Sequence, residues 1–445
     1  MMIRIFKKVA TTAKHRTGLL KSKKGGAAIL LTITFSCMVL LSSCLFIAAK
    51  SAAGRSYTDA ALRTAGRSVM SEYDKTLLKD YGLFAFHSDE RQIAQDITFY
   101  ANASLNKNKL LYTPLVPQKG AISVFNIGKK ASDIEVNLKE YSLMSADTFE
   151  RQIKDAAGAE WLNDHIRPGG SSSGSSSKDG ADEERKDRTL RNPSITEALP
   201  SAGLTGFSWP DFSDIDIPSM SEVLDAAGTQ FLVNEYIMSV FNRAYDDYED
   251  PKTFFDSEVE YIIAGKMSEA SNESSVMNRI KAMRFVLNNI SILTDSAKMT
   301  KITEMAAPAA AAAGIGEVVA QVLITEAWVA AETANDIKLL ESGKNVALYK
   351  THNSWALYNI EEIYEGTFTE DEVEPTDKSG QDYKGYLRIL LYLTDRETKL
   401  LRMMDLIQIN MKGTYNRSFE LREYYTGYRF ETMIKGDRFE YTETY

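Results

Sequence analysis

The sequence predicts an α+β protein: an N-terminal transmembrane helix continuing into a long helix, a small α/β unit, a mostly helical distal region and a C-terminal β-hairpin. Three observations lead to this reading. Residues 27–49 form an uncharged apolar run. Apolar residues then recur every three or four positions over most of the chain, the period of a helix face. Two stretches, 121–143 and 419–443, instead alternate apolar with polar as strands do.

The run from Ala27 to Ala49 is 23 residues long, about 35 Å as a helix and enough to span the hydrocarbon core. A signal-peptide core is shorter, roughly 7 to 15 residues, so a retained anchor bounded by Ala27 and Ala49 is expected. Residues 1–26 carry eight basic side chains and no acid. The flank beyond the run, with Lys50, Arg55, Asp59, Arg63 and Arg67, nets three positive charges. Basic residues resist translocation, so the expected topology is single-pass in the cell membrane, with the 1–26 tail cytoplasmic and the bulk extracytoplasmic. Leu41-Ser42-Ser43-Cys44 also fits a bacterial lipobox, making Cys44 an alternative lipidation site, although Leu45 to Ala49 continues the apolar run past it. Either way the chain is held by membrane lipid.

Residues 50–165 read as a membrane-proximal α+β unit. Leu62, Ala65, Val69, Tyr73, Leu77 and Tyr81 make a helical stripe ended by Gly82. Together with the apolar run this suggests one nearly continuous helix of about 82 Å. Small residues along it, among them Ala53, Gly54, Ala65 and Gly66, would let a neighbouring helix approach closely. A helix over 89–108, strands at Ala121–Ile127 and Ile134–Leu143 around a turn at Gly128, and a helix at Asp147–Asn163 complete the unit.

Residues 166–218, beginning with a Gly/Ser tract and a charged run, have too few apolar side chains to offset chain entropy and read as a flexible linker. Gly170-Ser171-Ser172-Ser173-Gly174 matches the nucleophile-elbow pattern formally, but that chemistry needs a rigid strand–turn–helix, which low-complexity sequence does not supply. Residues 219–412 predict helices at 222–248, 253–266, 274–305, 315–340 and 384–412, with a loop at 367–381. The Ala-rich piece 309–331 is crossed by Glu317, Gln321 and Glu326; carboxylates there would cost roughly 2–3 kcal/mol each in lipid, so a soluble helix is expected. Residues 413–445 alternate as a hairpin turning at Lys435-Gly436-Asp437. Two strands alone are marginal, so they are expected to extend the sheet begun by 121–143.

Composition narrows the function. The chain is 44% hydrophobic and 25% charged, enough for two or three compact units. Residues 27–445 carry 44 basic against 61 acidic side chains, a net charge of −17, which would repel nucleic acid. Both cysteines, Cys37 and Cys44, lie in the apolar run. The exported part therefore has no disulfide framework, thiol nucleophile or Cys/His zinc site. His15, His87, His165 and His352 are scattered. The acidic groups Asp211, Asp214, Asp216 and Glu370, Asp371, Glu372, Glu374 lack the alternation and distal Glu of a calcium loop. No catalytic residue, metal ligand or cofactor is expected.

Seven segments form a recognisable set: KKGGAAILLTI at 23–33, SEYDKTLLKDYGLFAF at 71–86, QFLVNEYIMSVF at 230–241, VEYIIAGK at 259–266, LYKTHNSW at 348–355, DYKGYLRILLYL at 382–393 and LLRMMDLIQINMK at 400–412. Together they resemble an uncharacterised family of Gram-positive bacterial membrane proteins that occur with tight-adherence (Tad) pilus systems, with N-termini similar to TadE/TadG-like minor pilins. The likeness covers nearly the whole chain outside the linker. Type IV pilins usually carry a glutamate five residues after the cleaved glycine, where this sequence has Leu30 or Leu31. The resemblance implies a non-catalytic structural or assembly component of a Tad-type surface pilus or secretion system, with pilus or secretion-platform proteins as partners. The alternative is a membrane-tethered extracytoplasmic binding or sensing domain unrelated to pili.

Overall fold

The computed structural model describes residues 26–106, 133–158, 187–204, 208–225, 228–246, 253–357, 360, 372–434 and 436–445, and the fold is α+β. In chain order its elements are α1 (Gly26–Met70), α2 (Lys75–Tyr81), β1 (Phe86–His87), α3 (Glu90–Asn106), β2 (Glu135–Asn137) and α4 (Ala146–Gly158). The distal helices follow as α5 (Met220–Asp225), α6 (Thr229–Val240), α7 (Glu258–Ala264), α8 (Glu269–Thr294), α9 (Ser296–Ala313), α10 (Glu317–Glu341), α11 (Tyr383–Leu393) and α12 (Arg396–Thr414). Strands β3 (Tyr424–Tyr425), β4 (Gly427–Ile434) and β5 (Asp437–Thr444) end the chain.

Two compact units result. The first combines residues 1–72, 90–137 and 429–443. The distal half of α1 packs along α3, burying Leu62, Ala65 and Val69. Strands β2, β4 and β5 form an antiparallel sheet in which Val136 pairs with Phe430, so the hairpin does extend a sheet begun upstream. The expected strand at 121–127 and its turn at Gly128 lie outside the described residues. The expected 134–143 strand is interrupted: Glu135–Asn137 pairs with β4, Lys139–Tyr141 winds into a 3-10 turn, and pairing resumes only as a single bridge from Ser142 to Tyr425. Gly66 lies under the hairpin: a Cβ there would come within 3.0 Å of the Phe430 ring and 3.2 Å of Glu443 Cγ. The Tyr441 hydroxyl donates to Asp59 at 2.7 Å, tying the last strand to α1.

The second unit comprises residues 73–89, 138–428 and 444–445. Its core centres on α12, which buries Leu400, Met403, Met404, Leu406 and Ile407 and packs on α7 and α4. A separate apolar cluster forms where α8, α9 and α10 meet around Trp328 and Trp355, with ring centroids 5.9 Å apart. Gly380 sits at φ 144° with Val346 carbonyl carbon 2.3 Å from where a Cβ would stand, so only glycine fits this crossing.

Several helices are shorter than the periodicity suggests, each for a local reason. The long first helix stops at Met70, giving 45 residues, about 68 Å, and Asp74 caps α2 by accepting from Thr76 and Leu77 N–H. The expected 274–305 helix breaks at Asp295, which accepts from Ala297 and Lys298 N–H and so starts α9. Asp395 does the same for α12 through Thr398 N–H, dividing the expected 384–412 helix. The expected 222–248 helix is α5 and α6, with Gly228 at φ 115° between them.

The linker expected at 166–218 is corrected over its second half. Residues 166–186 and 205–207 lie outside the described residues, but Leu190, Leu199, Phe212 and Ile217 are all buried. The backbone there is held from a distance: Leu190 N–H donates to Met267 O at 2.9 Å, and Arg188 donates to Phe254 O at 2.9 Å while pairing with Asp256 at 3.0 Å. Trypsin is therefore expected to spare the bonds after Arg188 and Arg191 in the native chain, as read by mass spectrometry of a limited digest. Early cleavage after Arg188 would show that this segment is not docked.

Candidate functional site

The residues expected to matter most lie on α1, and the helix divides into two chemically different halves. From Gly26 to Lys50 every residue is exposed, Leu30 at 68%, Leu41 at 66% and Leu45 at 71% among them. Such a face is unfavourable in water and favourable in lipid. Four hydroxyl side chains in this half bond within the helix. Thr32 donates to Ala28 O at 3.0 Å, Thr34 to Leu30 O at 3.0 Å, Ser36 to Thr32 O at 2.8 Å and Ser43 to Val39 O at 2.7 Å. With those hydroxyls bonded to the backbone, none brings an unpaired donor into hydrocarbon. Helix α1 is long and apolar enough to cross a membrane, and among the described residues no other single helix is. Ala27, Ala49, Cys37 and Cys44 are all exposed on it, and the helix runs unbroken past Cys44 to Met70.

The four small residues expected to aid helix packing separate into two pairs. Ala53 and Gly54 are half-buried, and nothing lies within 4 Å of where a Gly54 Cβ would stand. Ala65 and Gly66 are buried within the first unit. Gly66 is covered by Phe430 and Glu443 of the chain's own hairpin, so at that position the small size is used within the chain.

A buried polar constellation in the second unit has no local signature in the sequence. Arg284 on α8, Glu332 and Asp336 on α10 and Lys350 in the following segment form a charge-balanced cluster, the first three with side chains fully shielded and Lys350 at 2%. Arg284 Nε donates to Asp336 at 3.0 Å, and its two terminal nitrogens donate to Leu348 O at 2.6 Å and to Asn288 at 2.5 Å. Lys350 Nζ reaches Asp336 at 2.5 Å and also Glu332. Glu332 accepts from Ala356 and Leu357 N–H at 2.9 Å each. Burial alone would push the Asp336 carboxyl up, but Lys350 and Arg284 hold it below the ordinary carboxylate value. The cluster pins residues 348–357 across two helices.

Two further buried ionisable groups lie around α7 and α12. Burial pushes Glu260 up to about 7 against the bonds it accepts from the Tyr383 hydroxyl at 2.8 Å and Ala244 N–H at 3.1 Å. Lys399 is pushed down to about 8 by burial, its ammonium donating to Asn234 and Leu391 O.

The remaining sequence candidates have ordinary partners. His87 meets Glu423 and His352 meets Asp295, each at 3.1 Å. Asp211 accepts from Ser213 N–H at 3.0 Å, and Glu372 and Glu374 pair with Lys344. Residues 170–174, Glu370, Asp371, His15 and His165 lie outside the described residues. No group of three His, Cys, Asp or Glu side chains placed to hold a metal occurs among the described residues.

No curated protein and no solved structure matches the chain. The segment from Leu190 to Ile434, which holds the buried charge cluster and most of the second unit, is nevertheless recognisable by its sequence pattern. The chain belongs to a family of unknown function, DUF5702, whose model matches residues 189–436, more than half of its length.

Proposed function

We propose that this protein is a single-pass, membrane-anchored structural or assembly component of a Tad-type surface pilus or secretion system, with its N-terminus cytoplasmic, its bulk extracytoplasmic, and no catalytic role. The carrying observation is α1: one uninterrupted helix, apolar and exposed over its first half, covered by the chain's own sheet over its second. That build suits a subunit that leaves the bilayer by its helix and brings a folded head with it. The non-catalytic part of the reading is supported by the second unit, where the fully shielded Arg284–Asp336 pair serves packing.

Residues Ala53 and Gly54 lie where the exposed half gives way to the covered one. Changing both to leucine adds bulk without a clash at Gly54 and raises helix propensity there. The expected result is loss of co-purification with pilus components while membrane insertion and the thermal melt of the head stay unchanged. If in-cell crosslinking of the natural chain recovers no pilus or secretion component, the pilus reading fails and a tethered binding domain takes its place.

A further inference from the structure

Helix α1 acts as a ruler for the first unit. It is unbroken from Gly26 to Met70, and its uncharged apolar run ends at Ala49, so each later residue on it stands about 1.5 Å higher above Lys50 than the one before. Strand β5 touches it at three levels. Asp437 meets Arg55 at 3.9 Å, the Tyr441 hydroxyl meets Asp59 at 2.7 Å and Glu443 meets Arg67 at 3.9 Å. From Asp437 to Glu443 a strand advances about 20 Å, and from Arg55 to Arg67 a helix advances about 18 Å, so the two run side by side in the same direction. The strand therefore begins near the apolar run and climbs away from it. Counted from Arg55, Asp437 lies about 8 Å above Lys50; counted down four strand residues from Tyr441 beside Asp59, it lies about level with Lys50. Both heights fall at the headgroup layer, which extends about 5–8 Å beyond the hydrocarbon on each side. Gly436, in the turn, is one residue closer still.

We propose that the β4–β5 turn rests on the bilayer surface, among the phosphate headgroups of the lipid that holds α1, so that the last strands of the chain dock where its first helix emerges. The side chains at that end suit such a layer. On the outward face of β4 and β5, Arg429, Glu431, Arg438 and Glu440 are charged, whereas Met433, next to the turn, is apolar and 60% exposed. A large apolar side chain among charged neighbours is out of place in water and in place where headgroups meet hydrocarbon. Tyr57, 41% exposed at the same end, has the apolar ring and polar tip that favour this layer. Its hydroxyl donates to Ser104 O at 3.0 Å, so the end of α3 reaches the same level. Charge permits the approach. Lys50, Arg55 and Arg438 stand there against Asp437 and Glu431, whereas residues 27–445 as a whole net −17, a surplus that an anionic lipid surface repels. Arg55, with its side chain 63% exposed, brings a guanidinium suited to phosphate to headgroup height. The inference rests on the anchored reading of α1 and is independent of the pilus reading.

The test uses the full chain in vesicles of phosphatidylcholine and phosphatidylglycerol that include a lipid with a nitroxide on its headgroup. Cys37 and Cys44 are changed to alanine, and a single fluorophore-bearing cysteine is placed by Met433→Cys or by Thr442→Cys. Both sites are exposed, so neither label disturbs the core. The probe at Met433→Cys is expected to lose most of its emission to the nitroxide. The probe at Thr442→Cys, four strand residues or about 13 Å farther from the bilayer than Arg438, should keep nearly all of it. Unquenched emission at Met433→Cys in chains that resist alkaline carbonate extraction would overturn this proposal and leave the anchor standing. Equal quenching at the two sites would overturn it as well, because the sheet would then lie flat on the lipid. Release of the chain by alkaline carbonate would overturn the anchored reading, and this inference with it.

Discussion

Asp336→Ala is expected to lower the unfolding free energy by about 3–5 kcal/mol, because it leaves two buried cations facing one buried carboxylate. In the native cluster Arg284 and Lys350 balance Glu332 and Asp336 with essentially no solvent to screen them. Asp336 also accepts from Asn288 at 2.9 Å, so its loss frees that donor as well. The intact pair is not a large net stabiliser, since burying four charges has its own desolvation cost. The asymmetry between breaking and replacing it gives the control: Arg284→Met with Asp336→Leu removes one charge of each sign and should regain about 2 kcal/mol of the loss. Trp328 and Trp355 lie beside this region, and Trp355 Nε1 donates to Ser291 at 2.9 Å, so tryptophan fluorescence during urea unfolding in detergent reports the change directly. A single variant within about 1 kcal/mol of the natural protein would show that water reaches the cluster.

The second large effect is a stability that falls as pH rises. Glu260 is fully buried and titrates near 7 in the folded chain against its ordinary 4.5. Below pH 4.5 both folded and unfolded chains hold this proton. Between 4.5 and 7 only the folded chain does, so each rise in pH favours unfolding, and above 7 the loss is complete. At about 1.4 kcal/mol per unit the total is about 3 kcal/mol. Glu260→Gln keeps the acceptor for Tyr383 and Ala244 and has nothing to ionise. Its urea midpoint should therefore match the natural protein at pH 4.5 and exceed it at pH 8. Parallel pH profiles for the two proteins would mean that Glu260 is already ionised in the fold.

What the sequence made legible follows from how far each determinant acts. Helix α1 is announced by 23 uncharged residues in a row, and α8, α10 and the hairpin by periodicity, because these signals are local. The breaks at Asp295 and Asp395 were readable in principle: an aspartate within a helical run can cap the next helix, and both do so through their side chains. The docking of residues 187–204 and 208–218 was not, since its supports come from far along the chain: Gln408 donates to Ala198 O at 3.0 Å, and Tyr349 to Ile217 O at 2.6 Å. Composition describes a segment's own ability to fold and says nothing of a groove prepared for it elsewhere. The charge cluster was hidden for the same reason. Glu332 and Asp336 at a spacing of four look like a solvated face until Arg284, 52 positions away, is placed against them.

The first unit takes its helix from the start of the chain and its hairpin from the end, and that fixes the order in which it can be made. Asp59 and Tyr441, bonded in the finished protein, are 382 positions apart; at about 5–20 residues per second of synthesis, roughly 20–80 s separate them on the ribosome. Throughout that interval Gly66 has no hairpin above it, and the covered half of α1 stays partly bare. A chain stalled or clipped anywhere before β4 keeps that stripe open to proteases and chaperones, while a chain made to its last strand closes it. The first unit thus closes only after β4 and β5 have been made.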